Sequence, residues 1–231
     1  NAHGIFNAEP SSSCLAASDI QFRNSGNETL SGTSVCGAMP DFDFSGRTTR
    51  IRYDTPEIAG FVASVSHHDD QSFDLGLFYE GNFFDTDIAA AVGYTNALEG
   101  GSGAAGHEII GGMLSFVHSS GLGASGGCAF QNELANSSVA GAQDPVRCGV
   151  QLHYQRKFNE IGQTAFVGEW DQVDSATTSG DTAKAYAFSI QQSIDAAAME
   201  IWGKYSHFEL DRDGSDLDDI DVISVGTRLK F

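Results

Sequence analysis

From position 46 onward the chain repeats one pattern: roughly ten residues that alternate apolar with polar, then a break rich in Gly, Asp and Asn. Alternation with a period of two marks a strand whose faces meet different surroundings. The pattern predicts eleven strands, at 46–54, 59–68, 72–81, 85–96, 106–118, 121–131, 146–157, 163–173, 181–193, 196–208 and 220–231. Tight turns alternate with longer polar connections at 132–145, 174–180 and 209–219, so the strands read as antiparallel with one short-turn rim and one long-loop rim.

The alternation also assigns faces. Thr49, Ile51 and Tyr53 lie on one side with Arg50 and Arg52 opposite; Phe61, Ala63 and Val65 oppose Ser64 and Ser66. Phe73, Leu75, Leu77 and Tyr79, then Ile88, Ala90, Val92 and Tyr94, then Val150, Leu152 and Tyr154 continue the apolar face. The polar or small residues between them form the inward face, and 106–118 has apolar residues on both sides, leaving its phase open. In the last strand Ile223, Val225, Leu229 and Phe231 oppose Ser224, Gly226, Arg228 and Lys230. Too few inward apolar residues remain to pack two sheets together, so a β-sandwich is the lesser reading. The fold class expected is all-β, an antiparallel transmembrane β-barrel. Aromatic residues near strand ends, among them Phe61, Tyr79, Phe83, Phe84, Tyr94, Phe130, Tyr154, Trp170 and Tyr186, suit girdles at the two membrane interfaces.

Residues 1–45 differ: rich in Ser, Gly, Asn and Ala, without sustained periodicity, they read as a long irregular segment, and 46–231 as the strands and loops of the same domain. The sequence starts at residue 1 without a charged n-region or an apolar h-region, so no signal peptide is expected within it and a mature, trimmed or partial chain is implied.

Composition agrees with strands that face water on one side. Hydrophobic residues are 41% of the 231, and the mean hydropathy of −0.18 is too low for a bundle of membrane helices. The formal charge of −19, from 31 acids against 12 bases, argues against a nucleic-acid partner and points towards cations. Four cysteines allow three pairings; the local one, Cys14 with Cys36 and Cys128 with Cys148, is preferred because each pair brackets a single loop, and free buried thiols are the other reading. Disulfides imply an oxidising compartment.

Catalytic signatures are lacking: His67 and His68 adjoin Asp69 and Asp70, but neighbouring strand residues point to opposite faces. The stretch Asp211-Arg-Asp213-Gly-Ser-Asp216-Leu-Asp218-Asp219 fails the EF-hand pattern, although its carboxylates leave open a divalent cation held at the loop, or bridging it to lipopolysaccharide. No cofactor and no metal site is expected, and no enzyme activity.

The stretch Gly46-Arg-Thr-Thr-Arg-Ile-Arg-Tyr-Asp-Thr-Pro-Glu-Ile-Ala-Gly-Phe61 and the terminal Val222-Ile-Ser-Val-Gly-Thr-Arg-Leu-Lys-Phe231 resemble the general, non-specific porins of Gram-negative outer membranes. Leu30-Ser-Gly-Thr-Ser-Val through Asp41-Phe-Asp43 resembles that family's constriction loop. The resemblance implies a sixteen-stranded barrel of which this chain carries eleven, beginning in the constriction loop. It further implies a homotrimer in the outer membrane, contacting lipid and lipopolysaccharide, and a water-filled channel for passive diffusion of small hydrophilic solutes and ions. In the family, loop acids face wall bases across the pore. The matching bases are Arg50 and Arg52, with Arg47 at the rim; Asp19, Glu28, Asp41 and Asp43 are candidate loop acids. Lys184, Lys204, Arg228 and Lys230, balanced by Asp74, Glu80, Glu169 and Glu200, are further lumen candidates. Phe231 matches the terminal residue that the family's assembly machinery reads.

A cysteine pair in the loop departs from the family pattern; a Cys14–Cys36 bond would stiffen the loop into a fixed aperture. The acid excess predicts weak cation preference. A secreted or periplasmic all-β binding module resembling a lectin, and a surface barrel that does not conduct, are the competing readings.

Overall fold

The computed structural model describes residues 17–40, 49–69, 71–97, 106–133 and 144–230. Within them lies an eleven-stranded sheet in which every neighbouring pair is antiparallel. In chain order its strands are β3 (Arg50–Asp54), β4 (Phe61–His68), β5 (Phe73–Phe83), β6 (Thr86–Ala97), β7 (His107–His118), β8 (Leu122–Glu133), β9 (Val146–Asn159), β10 (Gly162–Asp174), β11 (Thr182–Ile194), β12 (Met199–Asp211) and β14 (Ile220–Leu229). Each pairs with its predecessor in this order, a meander with β3 and β14 at its two edges.

These segments are strands because each carries two unlike faces, and hydrogen bonding between neighbours satisfies the backbone that neither face would solvate. On β9 and β10 the polar face brings Gln151 opposite Glu169 and Gly149 opposite Asp171, while Leu152 and Val150 lie on the other face. For β7 the register settles the phase: Ile109, Gly111, Met113 and Ser115 pair with Thr95, Gly93, Ala91 and Ala89 on the inner face.

Connections on one rim are 55–60, 84–85, 119–121, 160–161 and 195–198, and on the other 69–72, 98–106, 134–145, 175–181 and 212–219. The second set is longer, as the pattern of polar breaks predicts. Gly121 shows why a short turn demands glycine: its φ is +93°, and a Cβ there would lie 1.9 Å from the Gln155 carbonyl oxygen.

Residues 17–40 are more ordered than the irregular loop expected from their composition. Strands β1 (Gln21–Asn24) and β2 (Leu30–Ser34) pair with each other, and β1 pairs with the two-residue β13 (Leu217–Asp218) in the 212–219 connection, giving a sheet of order β13-β1-β2. One helical turn, α1 (Val35–Ala38), follows, with the Ser34 hydroxyl accepting from Gly37 N–H at 3.1 Å as its cap.

Cys128 and Cys148 are directly opposed on β8 and β9 and are disulfide-bonded, as local pairing predicts. Cys36 is also disulfide-bonded; its expected partner Cys14 lies outside the described residues. A covalent tie across a sequence separation of 20 residues is expected to stabilise by about 3 kcal/mol. The variant with Cys128→Ala and Cys148→Ala should therefore unfold at lower urea concentration while keeping its conductance, as read by heat-modified gel mobility and bilayer recording.

Candidate functional site

The inner face is built from side chains that the registers bring together across strands. Lys204 on β12 donates to Glu169 on β10 at 2.7 Å, and Gln151 on β9 donates to the other Glu169 oxygen at 2.8 Å. Lys204 and Glu169 are almost fully buried, so they act as a compensated pair in the wall and leave little charge exposed on it. Arg147 on β9 pairs with Asp171 on β10, its Nε 3.1 Å from Oδ1. Near the short-turn rim Glu200 accepts from Arg228 (Nε, 2.9 Å) and from Lys230.

At the other end of the sheet, Arg52 Nε donates to Asp54 at 2.8 Å and the guanidinium lies 6.0 Å from the Phe78 ring centre. Arg50 Nη1 is 3.8 Å from Asp74. The two arginines share the face opposite Ile51 and Tyr53, as predicted, but the carboxylates that meet them belong to the wall itself.

Not all of the inner face is polar, and here the structure corrects the simple complement drawn from alternation. Val173, Ala183, Ala185, Phe208 and Leu210 form an apolar patch on β10, β11 and β12, and the 17–40 segment covers it with Ala17, Phe22, Val35, Ala38 and Met39. Phe22 and Val35 have no exposed surface. Burial of such side chains contributes about 1.5–3 kcal/mol each, which explains why this stretch folds against the wall instead of hanging free.

Polar ties hold it at further points along its length. Arg147 Nη1 donates to the Pro40 carbonyl at 2.8 Å; Ser25 N–H donates to the Asp216 carbonyl at 2.8 Å. Arg212, in the 212–219 connection, donates to Thr33 Oγ1 at 3.0 Å and to both oxygens of buried Asp181. The Asp181 carboxylate raises the Arg212 guanidinium above its ordinary value, so Arg212 keeps its charge.

Asp19 and Glu28 are exposed, and among the described residues neither makes an ion pair with Arg50 or Arg52. Arg47, Asp41, Asp43 and Phe231 lie outside the described residues. Lys184 sits on the outer face, 3.2 Å from Asp211, instead of adding to the lumen charge. Arg147, Asp171, Asp54 and Arg212 were missed as candidates; the first three stood at inward positions of predicted strands, which was the available signal, whereas nothing local distinguished Arg212. Among the described residues no group of three His, Cys, Asp or Glu could hold a metal ion.

The opposite face is apolar and open: Leu75, Leu77, Val92, Ile110, Leu114, Val150, Leu152, Phe188 and Ile190 are all exposed. Aromatic contacts border it. On the short-turn side Phe61 packs on Tyr79 (4.7 Å between centroids) and Phe158 on Tyr154 and Phe166 (6.0 and 6.1 Å). On the long-loop side Phe73 meets Tyr94 at 5.8 Å and Tyr186 meets His207 at 6.3 Å. There the Tyr94 hydroxyl donates to Glu108 (2.8 Å) and the Tyr205 hydroxyl to Asp221 (2.6 Å), so each phenol turns its polar end away from the apolar band. An apolar belt between two such girdles is the surface of a barrel that crosses a membrane with strands.

A family profile described as Gram-negative porin matches residues 15–227. No curated protein matches the chain. Among solved structures, in-vitro folded OmpT, an outer membrane protein of Vibrio cholerae, aligns with a TM-score of 0.54 at 10% identity, covering 81% of this chain and 70% of its own. OccK8 (OprE) of Pseudomonas aeruginosa aligns with a TM-score of 0.54 at 12% identity, covering 90% of this chain and 65% of its own. A trimer form of the Vibrio cholerae OmpT gives 0.53 at 13% identity over 80% of this chain and 64% of that one. At these identities the likeness is one of fold.

Proposed function

The chain belongs to the Gram-negative porin family of the outer membrane, and on that premise we propose that it lines a water-filled channel through which small hydrophilic solutes and ions diffuse passively, with weak preference for cations. The observation that carries this reading is the contrast between the faces of one sheet: an exposed apolar belt outside, and inside a wall of small residues, hydroxyls and ion pairs from β3 to β14. Such a wall suits water and solutes of either charge because it binds none of them strongly.

The sign of the preference follows from where charge remains. The described inner arginines and lysines each meet a carboxylate, whereas Glu28, Asp213, Asp216, Asp218 and Asp219 are exposed at or beside the long-loop rim. Acid in excess at a mouth raises the local cation concentration. Protein purified from outer membranes and added to a planar bilayer should give stepwise conductance increments, and in a KCl gradient a reversal potential of cationic sign. Absence of steps would defeat the channel reading, and an anionic sign would defeat the preference alone.

We further propose a trimer, supported by the trimer form of the structurally similar OmpT. Cross-linking in mild detergent should give a ladder that ends at three protomers.

A further inference from the structure

We propose that Asp74 is a specificity-determining residue: a carboxylate fixed in the inner wall by buried donors, it holds Arg50 and cancels its charge, so that this side of the passage is electrically near neutral. The inference rests on the channel reading above.

The geometry is that of a built anion. Ser66 Oγ donates to Asp74 Oδ2 at 2.8 Å, His68 Nε2 lies 2.7 Å from the same oxygen, and Thr95 Oγ1 donates to Oδ1 at 2.8 Å. A carboxylate only accepts, so His68 Nε2 is the donor in this contact. Ser66, His68 and Thr95 are 5%, 2% and 0% exposed, and they come from β4 and β6, on either side of the strand that carries Asp74. Donors so placed hold the carboxylate in one position.

Asp74 retains 17% of its side-chain exposure, and the half-exposed Arg50 guanidinium stands 3.8 Å away. Two opposite charges at that separation act on a solute several ångströms off as a dipole, whose field falls faster with distance than that of one charge. Arg52 is treated likewise by Asp54 at 2.8 Å. Charge at this part of the wall is therefore set by its acids as much as by its arginines. Asp74 is the stronger lever because its position is fixed on three strands.

The experiment is the cation-to-anion permeability ratio, from reversal potentials in a KCl gradient, for the wild type, Asp74→Asn, Arg50→Gln and the double variant. Asp74→Asn leaves Arg50 uncompensated and should lower the ratio about twofold, the effect on cation and anion together of one charge roughly 8 Å from the ion path in water screened by about 0.1 M salt. Arg50→Gln should raise it by a similar factor, and the double variant should return near the wild-type value. Asp74→Glu, which keeps the charge, should leave the ratio within experimental scatter. An unchanged ratio in Asp74→Asn, or a double variant that simply follows Arg50→Gln, overturns the proposal. A second readout leaves Asp74 intact: Arg50→Gln removes one positive charge from beside this carboxylate and should make K⁺ conductance more sensitive to millimolar Mg²⁺ than in the wild type, and equal sensitivity overturns the proposal even where Asp74→Asn does not assemble. A wild-type protein that does not conduct would defeat the channel reading instead, so the two failures are distinct.

Discussion

Phe22→Ala is expected to loosen the covering segment from the barrel wall while the barrel itself survives. Phe22 is fully buried in the cluster that joins residues 17–40 to Val173, Ala183, Ala185, Phe208 and Leu210. Truncating a buried phenylalanine to alanine costs about 3–5 kcal/mol. Phe22 is the largest side chain the segment brings to that contact; Ala17, Val35, Ala38 and Met39, the β1–β13 pairing and the hydrogen bonds to Asp216 and from Arg147 and Arg212 remain. The main sheet keeps its ladders, because they do not involve Phe22. The variant should therefore keep its heat-modified gel mobility, become susceptible to proteolysis between residues 17 and 40, and show greater open-channel noise. The same anchorage implies that reducing the Cys36 disulfide alone should not reproduce this behaviour. Wild-type proteolysis and noise in Phe22→Ala would show that the apolar patch does not hold the segment.

The second large effect concerns the two faces of β6. Val92→Arg places a charge on the exposed outer face, level with Leu77 and Gly112, at a cost of about 2–4 kcal/mol near the middle of a bilayer. Ala91→Arg, one residue earlier, places the same group on the inner face beside Phe78 and Met113, where the long side chain reaches water. The first variant should fail to accumulate in the outer membrane or should assemble poorly. The second should assemble and shift the reversal potential away from cations. Measuring membrane yield and permeability for both tests the assignment of faces directly, since the variants differ by one position and share one chemistry. Equal yields would mean that the sheet does not separate lipid from water at β6.

Strand positions were legible because alternation reports faces, and faces are what a strand in this setting is selected to have. The predicted 146–157 and 220–231 compare with β9 at Val146–Asn159 and β14 at Ile220–Leu229. The phase of β7 was not legible, because Ile109 and Met113 are apolar on a face that elsewhere is polar; only the register with β6 decides it. The covering segment was hidden for a related reason. Periodicity tells which way Val173 or Phe208 points, not what lies over it. The strand that completes the small sheet, β13, is two residues long and pairs with Arg23 and Asn24 from the far end of the chain. No local window contains such a contact.

The inner wall was half legible. Arg50 and Arg52 fall on the right face from spacing alone, but their partners depend on register: Asp74 faces Ser66, and Ser66 faces Arg52, so the carboxylate near Arg50 sits two strands away. Lys204 and Glu169 were legible as inward charges and not as a pair, because the intervening strand had to be counted residue by residue.

The two edge strands have a direction as well as a position. β3 and β14 both run from the long-loop rim to the short-turn rim, because nine antiparallel strands stand between them. Zipped directly together, they would make a single parallel seam in an otherwise antiparallel ring. A second copy inserted the same way up would do no better, since its edge strands point in the same direction as the first. A ring with no such seam takes an odd number of additional strands between β14 and β3, entering and leaving against the direction of both edges, and the five that the porin resemblance implies meet that parity.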